Sequence, residues 1–182
     1  MKQSSTRKIV INGLMIALVF LATYFTKIYA LVPPPGYINL GDAIIMTTAI
    51  LLGSKSGFLA GSVGAAFADI LSPGGIIYAP VTFIVKGIEG YIVGKIAGSK
   101  KLSKKEVVRI AAVLVGALII PIGYFFGELY FLKIFDNEVF GYAYAIGGLP
   151  GNLIQGLANA VIAYPLSTVL IHAGIASFIK NP

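Results

Sequence analysis

At 182 residues, with 57% hydrophobic side chains and only 12% charged ones, the chain is far more apolar than a soluble domain, which carries about 25% charged residues. Its mean hydropathy of +0.89 makes lipid the natural solvent and points to one integral membrane domain, residues 1–182, of the all-α class. Zero cysteines and a single histidine exclude disulfides, thiolate metal sites and thiol catalysis, and the net charge of +7 needs no nucleic-acid partner once the positions of the basic residues are considered.

The first apolar run, about Ile9 to Leu31, follows Lys2, Arg7 and Lys8 and is longer than the ~7 to 15 residues of a signal-peptide core. It is therefore expected to be helix 1, stopped by Val32-Pro33-Pro34-Pro35-Gly36, whose prolines cannot supply helical N–H donors. A short helix 2 is expected over about Ile38 to Leu52. A tight turn at Gly53-Ser54-Lys55-Ser56-Gly57 then leads into helix 3, about Phe58 to Leu71. Ser72-Pro73-Gly74-Gly75 breaks the chain again, and helix 4 covers about Ile76 to Ala97. The polar run Gly98 to Lys105 separates it from helix 5, about Val107 to Leu132, with a kink expected at Pro121. Helix 6 extends from about Tyr144 to Phe178 and contains Pro150 and Pro165.

Six spans give the charges a consistent side. Lys2, Arg7, Lys8, Lys55, Lys95, Lys100, Lys101, Lys104, Lys105, Arg109 and Lys180 fall on one side, and Lys27 and Lys133 on the other. Because cytoplasmic loops carry the lysine and arginine excess, both termini are expected in the cytoplasm of a six-helix bundle.

Stripes of small residues let helix backbones approach where water no longer drives association. Gly57, Gly61 and Ala65 form one on helix 3, and Gly90, Gly94 and Gly98 one on helix 4; both are read as internal packing. Gly13 and Ala17 form a shorter stripe on helix 1, open either to packing or to a second membrane subunit.

Polar residues inside the spans carry the most information, since an unpaired charge at the bilayer centre costs about 3 kcal/mol or more. Lys86 and Glu89 share one face of helix 4, Tyr124 and Glu128 one face of helix 5, and Asn152, Gln155 and Asn159 a stripe on helix 6. At ~1.5 Å per residue, Lys86, Tyr124, Glu128, Asn152 and Gln155 all lie within roughly 5 to 15 Å of the outer surface, so they are expected to line one outward-opening cavity. An apolar cavity with a few fixed polar groups suits a small polar ring compound, with Tyr78 or Tyr124 stacking on it. The alternative is structural: Lys86 pairing with Glu89 or Glu128, and amides bridging helices. Asn39 and Asp42 flank Gly41 at the start of helix 2, where capping is the first role and ligand contact the second. Asp69 reads as interfacial, and His172 as interfacial or packed.

No GxxxxGK[ST], HExxH or GxSxG motif is present, so neither ATP hydrolysis nor familiar hydrolytic chemistry is encoded, and no cofactor or metal is expected. Gly36-Tyr37-Ile38-Asn39-Leu40-Gly41-Asp42, then Tyr78-Ala79-Pro80 followed by Lys86-Gly87-Ile88-Glu89-Gly90, resemble the substrate-specific S components of energy-coupling factor (ECF) transporters. Within that group the chain most resembles the branch associated with hydroxymethylpyrimidine and vitamin B6 compounds. The resemblance implies a high-affinity, non-enzymatic binding subunit in the cell membrane, partnered by a membrane coupling protein and two cytoplasmic ATPases. It also implies a pocket made by helices 4 to 6, a lid at Val32 to Tyr37, and a helix-1 docking motif. Gly13 and Ala17 match the spacing of that motif, with glycine in place of the usual first alanine. The substrate-binding set expected from both lines of argument is Lys86, Glu89, Tyr124, Glu128, Asn152, Gln155, Asn159, Tyr78 and Asn39. The rivals are a self-sufficient ion-coupled transporter relaying protons through Lys86, Glu89 and Glu128, and a membrane enzyme with Glu89 or Glu128 as general base.

Overall fold

The computed structural model describes residues 2–29, 37–98 and 106–174. Six helical rods appear in the expected order. The first, α1 (Lys2–Phe25), ends earlier than the apolar run suggests. The Thr26 hydroxyl turns back onto the Ala22 carbonyl, and Ile28–Tyr29 leaves the helix to form β1, which pairs antiparallel with β2 (Tyr37–Ile38). Pairing puts Tyr29 opposite Tyr37, with ring centroids 5.8 Å apart, so β-branched and aromatic residues that prolong a hydropathy run serve a ribbon instead. The expected lid Val32 to Tyr37 lies outside the described residues except for Tyr37, which belongs to this ribbon.

The second rod, α2 (Gly41–Leu52), consequently starts three residues later than expected, after Ile38 has been taken by the ribbon. Gly53 reverses the chain in one residue with φ +95°, a conformation only glycine adopts without strain, so the expected five-residue turn contracts and the next helix begins at Ser54. That rod, α3, runs through residues 54–70 as Ser54–Leu59, a wider π-helical stretch Ala60–Ala65, and Ala66–Ile70. A 3₁₀ turn at Gly75–Ile77 precedes α4 (Ala79–Ala97), which has Pro80 in its first turn, where a missing N–H costs nothing. Helix α5 begins at Glu106–Phe126 with Pro121 inside it, widens into a π turn at Gly127–Phe131 and closes with a 3₁₀ turn at Leu132–Ile134. Last comes α6 (Tyr142–His172), which begins two residues before the expected start; the part of the expected helix beyond residue 174 lies outside the described residues.

The interior is built from small side chains. Ala43, Ala49, Ala97, Ala112, Ala117, Ala160 and Ala163 pack with Met46, Val93 and Val113 where α2, α4, α5 and α6 meet. Helices α3 and α4 cross at their glycine stripes: a Cβ on Gly57 would stand 2.6 Å from the Gly90 carbonyl oxygen, and Gly61 lies directly against the Lys86 carbonyl. Gly94 abuts the Gly53–Ser54 backbone, whereas Gly98 caps α4 and lies outside the crossing. The stripes on these two helices are internal packing, as expected. Large apolar residues such as Ile9, Leu14, Leu18, Leu114, Leu118, Ile154, Val161 and Val169 point outward, while Asp42, Lys86, Glu89 and Asn159 are buried. Apolar outside and polar inside is the arrangement a lipid solvent demands. By length and composition, three helices among the described residues are able to cross a membrane: Thr6–Phe25, Glu106–Ile134 and Tyr142–His172.

Candidate functional site

The polar residues singled out from the sequence fall into two groups. In the first, Asp42 is the hub. Its carboxylate accepts from Lys86 Nζ at 2.5 Å through Oδ1 and from Gln155 Nε2 at 2.7 Å through Oδ2. Asp42 is 0% exposed and Lys86 3%, so the pair is shielded from solvent and must neutralise itself. Lys86 therefore pairs with Asp42, and not with Glu89 or Glu128 as the structural alternative had it.

Asn159 extends this group into the backbone. Its Nδ2 donates to the carbonyls of Asn39 at 2.7 Å and Gln155 at 2.9 Å, and its Oδ1 accepts the Ala43 N–H at 2.9 Å. Gln155 Oε1 accepts from the Asn39 N–H at 3.2 Å, and Asn39 Oδ1 accepts the Gly41 N–H at 2.8 Å. Two residues expected to cap α2 thus divide the work: Asn39 holds a backbone N–H at the helix start, while Asp42 reaches across to α4 and α6. Free N–H groups at a helix start tolerate an acidic residue, and here they share it with a lysine. Glu89, 0% exposed, stands beside Asp42 with neither oxygen in hydrogen-bonding geometry with a partner. A cavity of about 370 Å³ adjoins Asn39, Gln155 and Asn159 and is bounded by Phe25 to Ile28, Ile38 and Leu40. A larger groove of about 520 Å³ lies on the outer face of α3 and α4, lined by Lys55, Phe58, Leu59, Ile88 and Tyr91, away from both polar groups.

The second group surrounds Glu128, which lies in the π turn of α5 and is buried. The Tyr78 hydroxyl lies 3.4 Å from Glu128 Oε1 and 2.9 Å from the Tyr144 hydroxyl. Phe140 packs against Tyr78 and Tyr144 at centroid distances of 5.8 and 4.9 Å. Asn152 belongs on this side rather than with Gln155: a Cβ on Gly148 would meet Glu128 Oε2 at 3.2 Å and Asn152 Nδ2 at 3.5 Å. Tyr124 joins the two groups. Its hydroxyl is 2.9 Å from that of Thr82, its ring lies 5.5 Å from Lys86 Nζ, and its centroid is 6.5 Å from that of Tyr78.

A third polar contact had no place in the sequence argument. Asp69, read as interfacial, is 2% exposed and accepts the Tyr37 hydroxyl, tying the ribbon to the end of α3. Lys27 bonds Ser72 and lies over the rings of Tyr24 and Tyr37 at 4.8 and 4.6 Å. Burial pushes the Lys27 pKa below its ordinary value, with Asp69 opposing. Burial, reinforced by Asp69, pushes the Tyr37 phenol upward. His172 is exposed at the end of α6, as expected of an interfacial residue. Gly13 and Ala17 are exposed on α1, with no atom within 4 Å of a Cβ built on Gly13, so this stripe is not used for internal packing. It is Gly64 of α3 that approaches α1, where its Cβ would lie 2.7 Å from the Ile16 carbonyl oxygen.

Three comparisons bear on what this arrangement is. The family model for the ECF-type riboflavin transporter S component matches residues 3–172. An uncharacterized protein in the gap 3′ region of Pyrococcus woesei is 30% identical over 163 residues, covering 88% of this chain and 95% of that protein. The crystal structure at 2.1 Å of the S component for biotin from an ECF-type ABC transporter superposes with a TM-score of 0.61, covering 92% of this chain and 94% of that one. At 19% identity, the last similarity establishes a common fold. The match over nearly the whole length, on an apolar-outside bundle, identifies the chain as a member of the family of ECF-type riboflavin transporter S components.

Proposed function

We propose that this chain is the substrate-capturing subunit of an ECF-type importer, taking a small heterocyclic vitamin or precursor, of the hydroxymethylpyrimidine or pyridoxine type, from outside the cell. In this reading all six helices cross the bilayer as one domain, with both termini cytoplasmic, a topology supported by the lysine and arginine distribution. The observation that carries the reading is the set of buried polar side chains, Lys86, Glu89, Glu128 and Gln155 among them, enclosed within a bundle whose outer surface is apolar. Membrane proteins bury such groups in lipid-facing bundles where a polar substrate has to be met.

The substrate would lie between the Asp42 and Glu128 groups, stacked on Tyr78 or Tyr124. Asn152, Gln155, Asn159 and Asn39 would orient it, and Lys86 and Glu89 would set the field around it. A coupling membrane subunit would dock on the exposed Gly13 and Ala17 face of α1, and two cytoplasmic ATPases would supply the energy. The chain itself would perform no covalent chemistry. Calorimetry on the purified chain against a panel of water-soluble vitamins and precursors tests this directly. Saturable binding of one member is expected, and binding of none would end the proposal. Proton-driven uptake by vesicles containing this chain alone would favour a self-sufficient transporter instead.

A further inference from the structure

Two buried carboxylates, Glu89 and Glu128, are short of partners, and of the two it is Glu128 that stands among partly exposed tyrosines. The residue is 5% exposed, and its Oε2 has no hydrogen-bond partner. Its Oε1 has the Tyr78 hydroxyl at 3.4 Å, but that phenol has one hydrogen and a closer acceptor, the Tyr144 oxygen at 2.9 Å. A carboxylate with room for about four donors therefore receives at most one long contact. Among the described residues no lysine, arginine or histidine pairs with it; Lys86, the buried lysine, is committed to Asp42.

A glycine stands against this carboxylate. Gly148 places no side chain there, and a Cβ at that position would stand 3.2 Å from Oε2. Tyr78, Tyr144 and Asn152 beside it are partly exposed, whereas Glu128 itself is buried. Three aromatic rings, Tyr78, Phe140 and Tyr144, stand around it in mutual edge or contact geometry.

Resting on the capture reading above, we propose that Glu128 is the charge-selecting group of the site and that the cargo is a flat nitrogen heterocycle presenting an amino or amidine-like N–H edge, neutral or cationic, and not an anion. Two N–H donors on one edge would satisfy both carboxylate oxygens at once, the pairing carboxylates make most strongly. The surrounding rings accept a planar partner and favour a positive one over their faces. An anionic cargo would set its charge against Glu128, with which no cation among the described residues is paired.

The experiment is binding by calorimetry to the full chain in detergent, with two probes: 4-amino-5-hydroxymethyl-2-methylpyrimidine as the N–H donor and biotin as the anion. The aminopyrimidine is expected to bind and biotin not to. Glu128→Gln, which keeps the shape but removes the charge, is expected to weaken aminopyrimidine binding on the order of 10- to 100-fold. Gly148→Val retains the carboxylate and sets a side chain against it, so it reads the same site should the first variant fail to purify as a single species; it is expected to abolish binding. Tight biotin binding, or an aminopyrimidine affinity unchanged in either variant, overturns the assignment of Glu128 while leaving vitamin capture standing. Failure of the wild-type chain to bind any member of the wider vitamin panel overturns both.

Discussion

The two polar groups of the bundle contain similar side chains and are in opposite states. Around Asp42 every hydrogen-bonding atom of the hub and of Asn159 is matched, though both oxygens of Glu89 beside them are not, and α2, α4 and α6 are joined by one network. Around Glu128 one oxygen is unmatched and the other holds a long, shared contact. A buried polar group is costly unless its partners are supplied from somewhere. The Asp42 network finds partners within the chain and joins three helices as framework, whereas under the proposal above the Glu128 group takes its donors from the cargo.

Substitutions in the Asp42 group are expected to act on stability. Lys86→Met leaves the Asp42 carboxylate buried without its cation and should destabilise the protein by about 3–5 kcal/mol, read as a lower melting temperature in detergent by circular dichroism. Adding Asp42→Asn to that variant should recover a large part of the loss, and no recovery would mean the two residues do not act as a pair. Asn159→Leu removes donors to two backbone carbonyls and an acceptor for the Ala43 N–H; a loss of about 1–3 kcal/mol is expected in the same melting assay. A melting temperature equal to wild type would refute the framework role. The smallest stability effect is expected on α1, at a surface neither group touches. Gly13→Leu should change stability by no more than about 0.5 kcal/mol and leave vitamin binding intact, while reducing co-purification with a coexpressed coupling subunit. Undiminished co-purification would place the docking surface elsewhere.

Much of the architecture was legible because lipid imposes a simple rule: long apolar runs become helices, and glycine and proline punctuate them. The six rods and the α3–α4 glycine contact follow from that rule. The end of α1 did not, because Ile28 and Tyr29 are as apolar as the helix before them and only their pairing with Tyr37 and Ile38 distinguishes them. The polar faces of α4, α5 and α6 were legible as periodic positions. Their partners were not. Asp42 lies 44 residues from Lys86 and 113 from Gln155, separations across which helical spacing carries no information. A cue was nonetheless present: a lysine inside a span requires a counter-charge, and an aspartate in the first turn of a neighbouring helix is as eligible as a glutamate one turn along the same helix. The π-helical stretch Gly127–Phe131 displaces the 3.6-residue register, so face assignments carried beyond it lose their phase.

The glycine crossing of α3 and α4 has a mechanical consequence. Where two backbones touch with no side chain between them, little compliance remains to let one slide past the other. Gly61 rests against the carbonyl of the residue whose amine grips α2, so α2 is riveted to the same pair. These three helices form a stiff keel. Under the capture reading, these three helices are expected to shift as one body.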